Sequence, residues 1–302
     1  MTTDAQARQP GFTAFGLRAE AEALAPGLHI VATPIGNLRD ISLRALATLA
    51  AADAVLAEDT RVTKVLLAHY GVSTPLIAYH EHNAAETRPA ILARLARGER
   101  LALVSDAGTP LISDPGYKLV EEAARQGAAV TTIPGPSAVL AALVVAGLPT
   151  DRFFFEGFLP PRTAARRSRL TELAAIPGTL VFFESPRRLA EMLADAAAML
   201  GPRPAAVARE LTKLHETVRR GALPDLAAAY AAGETARGEI VVLIGPGTGA
   251  DAPAASGDLM DGKLKAALST LSLKEAVAQV AAETGQPRRK VYARALELTR
   301  RP

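Results

Sequence analysis

The chain has 302 residues, 49% of them hydrophobic, with no Cys, no Trp and a formal net charge of +3. That length allows two compact domains with a small appendage, and the lack of Cys excludes disulfides, Cys-zinc sites and thiolate nucleophiles, in keeping with a reducing, cytoplasmic setting. The longest apolar run, Ala138 to Leu148, falls well short of the ~20 residues of a membrane helix, and residues 1–26 lack the apolar core of a secretory leader, so a soluble protein is expected.

Residues 1–26 show no clear periodicity and are expected to form a disordered extension. From Gly27 to Gly245, short apolar runs alternate with longer stretches of helical period. The runs are Leu28–Ala32, Ala54–Ala57, Leu101–Val104, Val130–Ile133, Phe153–Phe155, Thr179–Phe183 and Ile240–Ile244. They read as buried strands joined by crossover helices, which predicts an α/β protein with mainly parallel sheets. Gly147-Leu-Pro149 breaks an apolar helix and divides a first lobe, 27–147, from a second, 148–247. Ser185-Pro186 offers an N-cap and first position for a helix that follows a strand.

Gly, Pro, Ala and Asp dominate 248–262, which reads as a linker. A helical unit, 263–302, follows. Ser272-Leu-Lys-Glu275 is a capping box, Gly285 ends that helix, and Pro287 stands near the start of the next. Ala276, Val277, Val280 and Ala281 share one face, and Val291, Ala295 and Leu298 another, so the pair resembles a helix-turn-helix. From Ala255 onward nine Lys/Arg accompany five Asp/Glu, leaving −1 on the rest of the chain. A basic tail suits a polyanionic partner; a solvated face, a lid or a dimer contact accounts for the same residues.

The loops after the strands are where open α/β sheets bind ligands. They are Thr33-Pro-Ile-Gly-Asn37, Glu58-Asp-Thr-Arg61, Ser105-Asp-Ala-Gly-Thr-Pro110 with Ile112-Ser-Asp-Pro-Gly116, and Pro134-Gly-Pro-Ser137. Gly108 and Gly116 let the backbone approach a ligand, and Asp106 and Asp114 can accept hydrogen bonds or face a cation. Ordinary turn chemistry explains any one such loop; several at one sheet edge point to a ligand cleft. No P-loop or Gly-x-Ser-x-Gly elbow occurs. Gly245-Pro-Gly-Thr-Gly-Ala250 imitates a dinucleotide fingerprint but runs into Asp-Ala-Pro rather than a helix. His80 and His82 have no second ligand cluster at zinc-like spacing, so no metal site is expected.

Ser105-Asp-Ala-Gly-Thr-Pro-Leu-Ile-Ser-Asp-Pro-Gly116 resembles the signature of the ribosomal RNA small subunit methyltransferase I family. The resemblance extends over Ala32–Asn37, Ala57–Arg61, Pro134–Ala138, Phe155–Leu159 and Ala208–Lys213, from Gly27 to the C-terminus. It implies a two-lobed tetrapyrrole-methylase (class III methyltransferase) fold, with S-adenosylmethionine folded in the cleft between lobes. It further implies a homodimer that methylates the ribose 2′-hydroxyl of a cytidine in the decoding region of 16S rRNA. The residues it assigns to the cofactor are Pro34, Asp106, Ala107, Gly108, Thr109, Pro110, Ser137, Phe183, Ala208 and Leu211. Two positions depart from the family: Ala84 follows Asn83 where an acid is usual, and Phe183 stands where many members have Tyr.

Such a transfer needs a base or a cation for the ribose oxygen. Glu58, Arg61 and Lys213 are the catalytic candidates; Asn37, Asp59, Lys64, His82, Asn83 and Glu210 are the candidates for the acceptor side. A structural ion pair is the competing explanation for each charged one. Arg162, Arg166, Arg167 and Arg169, with Arg187 and Arg188, form a basic cluster able to track an RNA backbone. Two alternatives remain open: a same-fold methyltransferase of a corrinoid or other tetrapyrrole precursor, and a non-catalytic RNA-binding relative.

Overall fold

The structure, a computed structural model, describes residues 10–233, 237–247, 255–284 and 288–300. The first half contains β1 (Gly11–Ala14), β2 (Leu17–Glu20), β3 (Gly27–Val31), α1 (Leu43–Ala51), β4 (Ala54–Ala57), α2 (Thr60–His69), β5 (Leu76–Ala78), α3 (Ala84–Ala96), β6 (Arg100–Val104), α4 (Tyr117–Arg125), β7 (Val130–Ile133) and α5 (Ala138–Ala146). The second contains β8 (Phe153–Phe158), α6 (Thr163–Leu173), β9 (Thr179–Glu184), α7 (Leu189–Leu200), β10 (Pro204–Arg209), β11 (Thr217–Ala222), α8 (Leu223–Ala231), β12 (Ile240–Ile244), α9 (Ala255–Leu268), α10 (Leu273–Thr284) and α11 (Arg288–Arg300). Two compact units result. Of the described residues, the first unit takes 10–147 and also Val207–Arg219 and Arg237–Val241; the second takes the rest. The lobes are therefore not the two contiguous segments expected from the sequence.

In the first sheet the order is β5-β4-β6-β3-β7, and every neighbouring pair is parallel. Strand residues alternate between two cores. Val31, Val55, Ala57, Ala102 and Val104 pack with Ala45, Leu46 and Leu49 of α1 and Leu66 and Leu67 of α2. Leu28, Ile30, Leu56, Leu101 and Leu103 pack with Ile91 and Leu95 of α3 and Leu119 and Ala123 of α4. Both faces are covered, which is why these strands are continuous apolar runs. The chain leaves β3 towards β4, beyond β6, and leaves β6 towards β7, beyond β3. These opposite departures make the β3–β6 edge the switch point, where ligands bind in open sheets.

The N-terminal expectation is corrected for residues 10–20. β1 and β2 form an antiparallel hairpin closed by Phe15 and Gly16, both at positive φ, and Phe12 is buried in the α1–α2 core. Thr13 N–H donates to the Tyr70 carbonyl at 2.7 Å, which fixes the hairpin on the unit. Residues 1–9 lie outside the described residues.

In the second sheet the order is β11-β10-β12-β9-β8, with β8 and β9 parallel and a register shift between Phe155 and Gly157. The helix expected at Ser185-Pro186 begins instead at Leu189. The Ser185 carbonyl accepts from Arg188 and Leu189 N–H, so Ser185–Arg188 is a lead-in turn. Of the basic cluster expected to track RNA, Arg166, Arg169 and Arg188 are engaged within the fold, whereas Arg162 and Arg187 are exposed. Arg166 is only 1% exposed and pairs with Asp195 at 2.6 Å, which Arg167 also reaches at 2.6 Å. Arg169 holds Glu156 and Glu172, and Arg188 holds the Leu159 carbonyl and Glu184.

The C-terminal helices α9, α10 and α11 enclose Leu264, Ala267, Ala276, Val277, Val280, Ala281, Val291 and Ala295. Glu275 accepts from the backbone N–H of Ser272, one half of a capping box, and also from its hydroxyl. The helix that seats Leu264 and Ala267 extends back to Ala255, so 255–262 is helical rather than linker. Gly285 and Pro287 lie outside the described residues.

Breaking a buried ion pair on one side strands the other charge, at a cost of about 3–5 kcal/mol. Asp195→Ala is expected to lower urea-unfolding stability by about that amount through Arg166; a loss below about 1 kcal/mol would contradict the burial described.

Candidate functional site

The loops at the β3–β6 edge are tied to one another. Thr33 and Gly108 exchange both backbone hydrogen bonds, at 2.8 and 3.0 Å, and the Thr33 hydroxyl donates to the Ser105 carbonyl at 3.1 Å. Asp106 accepts from Asp59 N–H at 2.9 Å, and the Thr109 hydroxyl donates to the Pro136 carbonyl at 3.1 Å. Ser137 caps α5 by accepting from Leu140 N–H. Four loops distant in sequence thus form one assembly. Gly108 sits at φ +81°, where a Cβ would press Ile35 at 3.3 Å. Leu111 and Ser113 hold positive φ in the same signature, and Glu210 and Thr212 do so in the second motif. Non-glycine residues in that region are strained, and such strain concentrates at functional sites.

This edge is acidic. Burial, with Asp114 and Asp106 nearby, raises the Glu58 carboxyl above its usual range, and burial likewise raises Asp114. Asp59 behaves oppositely. It caps α2 through Arg61 N–H and binds the Arg61 guanidinium, which holds its pKa down at about 2. The Arg61 side chain is otherwise 90% exposed.

The first unit also contains Lys213, whose aliphatic stem lies over Gly36. A Cβ on Gly36, at φ +155°, would stand 2.5 Å from the Lys213 Cγ. The ammonium pairs with Glu210 at 2.9 Å and Glu239 at 3.3 Å. Burial draws its pKa down, but the two carboxylates outweigh burial and raise it, so Lys213 is a cation at neutral pH. Glu210 also accepts from Glu239 N–H and rests on Gly238, where a Cβ would collide with it. Sequence reasoning singled out Lys213 and Glu210 but missed Gly36, Gly238 and Glu239, whose only local signal is the glycine itself.

The other predicted residues are more dispersed. Asn37 caps the short turn Leu38–Asp40 by accepting from Arg39 N–H, and Lys64 is exposed on α2. His82 is exposed beside His80. The Asn83 amide is engaged within its turn, accepting from His80 N–H and donating to the Ala78 carbonyl. Ala208 and Leu211 are buried near Lys213 in sequence. Phe183, in the second unit, meets Phe155 and Phe158 edge to face. Pro34 and Asp106 line a cavity of about 290 Å³.

The profile described as Tetrapyrrole (Corrin/Porphyrin) Methylases matches residues 27–227, and the RsmI C-terminal HTH domain matches 254–299. A protein of Mesorhizobium japonicum named ribosomal RNA small subunit methyltransferase I is 53% identical, over 92% of this chain and 94% of its own length. The chain belongs to that family, within the tetrapyrrole methylases. A relative of the same name in Pseudomonas aeruginosa is 47% identical over 89% and 96% of the two chains. Among solved structures, a cobalt precorrin-4 methyltransferase is 23% identical with a TM-score of 0.55, covering 72% of this chain and 94% of that one. A diphthine synthase is 16% identical with a TM-score of 0.57, covering 72% and 89%. These structures share the fold: α/β lobes of the tetrapyrrole-methylase type, followed here by the helical unit.

Two outcomes test this geometry. Gly36→Ala is expected to cost roughly 1–3 kcal/mol in urea unfolding, and Lys213→Ala should recover part of that loss in the double variant, because the collision is with the lysine stem. Strict additivity would contradict the packing. Glu58 has a folded pKa above its unfolded value, so its ionisation weakens the fold as pH rises through that interval. Glu58→Gln should therefore gain stability relative to the parent on going from pH 4 to pH 8; a constant difference would contradict the raised carboxyl.

Proposed function

We propose that the protein is an S-adenosylmethionine-dependent methyltransferase acting on the ribose 2′-oxygen of a cytidine in the decoding region of 16S rRNA. The observation that carries this reading is the 53% identity, over 92% of the chain, to a protein named ribosomal RNA small subunit methyltransferase I. The helical unit, which matches the RsmI C-terminal profile, supports a nucleic-acid substrate. Leu140 and Val144, exposed on α5, support a homodimer, and an rRNA substrate supports a cytoplasmic location.

The residues at the β3–β6 edge fit the cofactor. A glycine backbone at positive φ allows close approach of a nucleoside, and the crowded carboxylates of Glu58, Asp106 and Asp114 suit a cationic ligand. When bound, S-adenosylmethionine supplies the activated methyl group and its own leaving group. Pro34, Asp106, Ala107, Gly108, Thr109, Pro110 and Ser137 would hold it, with Ala208 and Leu211 of the same unit.

Glu58 would accept the 2′-hydroxyl proton of the acceptor. A carboxylate raised towards neutrality suits that proton transfer. Lys213, kept protonated by Glu210 and Glu239, steadies the negative charge developing on the ribose oxygen. Arg61 and Lys64 face the phosphates, while Asn37, Asp59, His82 and Asn83 frame the acceptor side.

Small ribosomal subunits lacking ribose methylation in the decoding region, incubated with methyl-labelled S-adenosylmethionine, test the reading. Label on a cytidine 2′-oxygen, mapped by nuclease digestion and mass spectrometry, is the expected result, and Lys213→Ala should lower its rate about 10²–10³-fold. Cofactor binding without transfer would overturn the acceptor assignment; absence of cofactor binding would overturn the enzymatic reading.

A further inference from the structure

A cavity of about 290 Å³ in the first unit shares Pro34 and Asp106 with the loops assigned to the cofactor, but Leu38, Val62, Val65 and Leu66 of its walls have no role in the chemistry above. Pro34, Leu38, Val62, Val65, Leu66 and Asp106 are among its walls, so most of it is aliphatic. Val62 and Val65, three apart on α2, share a face of that helix, and they are 45% and 68% exposed. Scattered exposed apolar residues mean little. These two are not scattered: they border one concavity and alternate with exposed cations in Arg61-Val-Thr-Lys-Val65.

The cavity's size and chemistry select its occupant. Small-molecule pockets run to about 300–1,000 Å³, so this one takes a single flat ring system and excludes a macrocycle. Its apolar lining suits such a ring, and the exposed Arg61 and Lys64, next in sequence to Val62 and Val65, suit a phosphodiester backbone attached to it. Asp106 adds an acceptor. The residue is part of the wall, its carboxylate accepts from Asp59 N–H, and a carboxylate pairs with a base amino group but opposes a carbonyl.

Building on the function proposed above, we propose that the cavity between Pro34 and α2 is a subsite for one unstacked, amino-bearing nucleobase of the RNA substrate. Val62 and Val65 hold the ring, and Asp106 favours cytosine over uracil. Sequence-specific recognition of RNA mostly targets unstacked bases, which are held against side chains and bonded at their edges. Here aliphatic side chains do so in a chain poor in aromatics. Because Asp106 also opens the loop assigned to the cofactor, a base held here lies against the same loop.

The test fills the cavity without changing charge. Val62→Phe is expected to lower kcat/KM for methyl transfer to small subunits at least tenfold, with the Kd for S-adenosylmethionine unchanged within twofold. Val65→Asn, at a more exposed position, should behave likewise if Val62→Phe unfolds. Unchanged kcat/KM in a folded variant overturns the subsite, as does a parallel loss of cofactor affinity, which would give the cavity to the cofactor. A second readout stands apart from activity: rRNA carrying 5-iodocytidine at the acceptor position is photocrosslinked to the unaltered protein. A crosslink within Val62–Val65 supports the subsite, and crosslinks only elsewhere overturn it. An unaltered protein that crosslinks there yet transfers no methyl group refutes the catalytic reading and leaves the subsite standing.

Discussion

Two backbone hydrogen bonds between Thr33 and Gly108 carry the pairing of β3 and β6 beyond the strands themselves. Parallel strands diverge into separate loops at their carboxyl ends, and nothing in the sheet ladder obliges those loops to meet. The Thr33–Gly108 bridge does oblige them. Once it forms, Ser105 and Asp106 are held beside Thr33 and Pro34, Asp106 captures the Asp59 backbone, and Thr109 captures the turn before α5. The backbone strain at Leu111 and Ser113 lies just after this bridge, where the chain must turn back to enter α4 through Gly116.

Charge is handled in contrasting ways in the two units. In the second, buried Arg166 and its neighbours are matched to Asp195, Glu156 and Glu172, so cations that look available in the sequence serve the interior and its rim. In the first, burial together with Asp114 and Asp106 raises the cost of ionising Glu58, and burial together with Asp106 raises that of Asp114. Matched charges fix a fold, whereas crowded like charges keep part of their free energy available to an incoming cation.

Much of this fold is legible in the sequence for a physical reason. Of the seven apolar runs, those of β3, β4, β6, β9 and β12 became strands buried on both faces, leaving no polar alternation to confuse the pattern. Those of β7 and β8 lie at sheet edges and are partly exposed. Short or mixed strands were not legible. β5 has three residues, β10 is built on alanine, and β11 carries exposed arginines. The β1–β2 hairpin was hidden because its turn is Phe-Gly rather than Asn-Gly or Asp-Gly. The loops of the site could be read from glycine, proline and acids at strand ends, but the seat of Lys213 on Gly36 could not. That contact is between segments far apart in the chain, and no local period encodes it. The arginines of α6 misled for the same reason, since Asp195 lies on α7.

The first unit is assembled out of order: its sheet is complete by β7, yet Lys213, Glu210 and Glu239 belong to stretches that follow Leu148–Ala206 of the second unit. During synthesis the ribosome releases the acidic loops early and Lys213 late. Until Val207–Arg219 has emerged, Gly36 lacks the Lys213 stem above it, and until Arg237–Val241 follows, that lysine lacks Glu239. A fragment cut at Gly147 would keep the carboxylates and lose the ammonium, so the two halves of this protein cannot be exchanged with a relative at that hinge as independent modules.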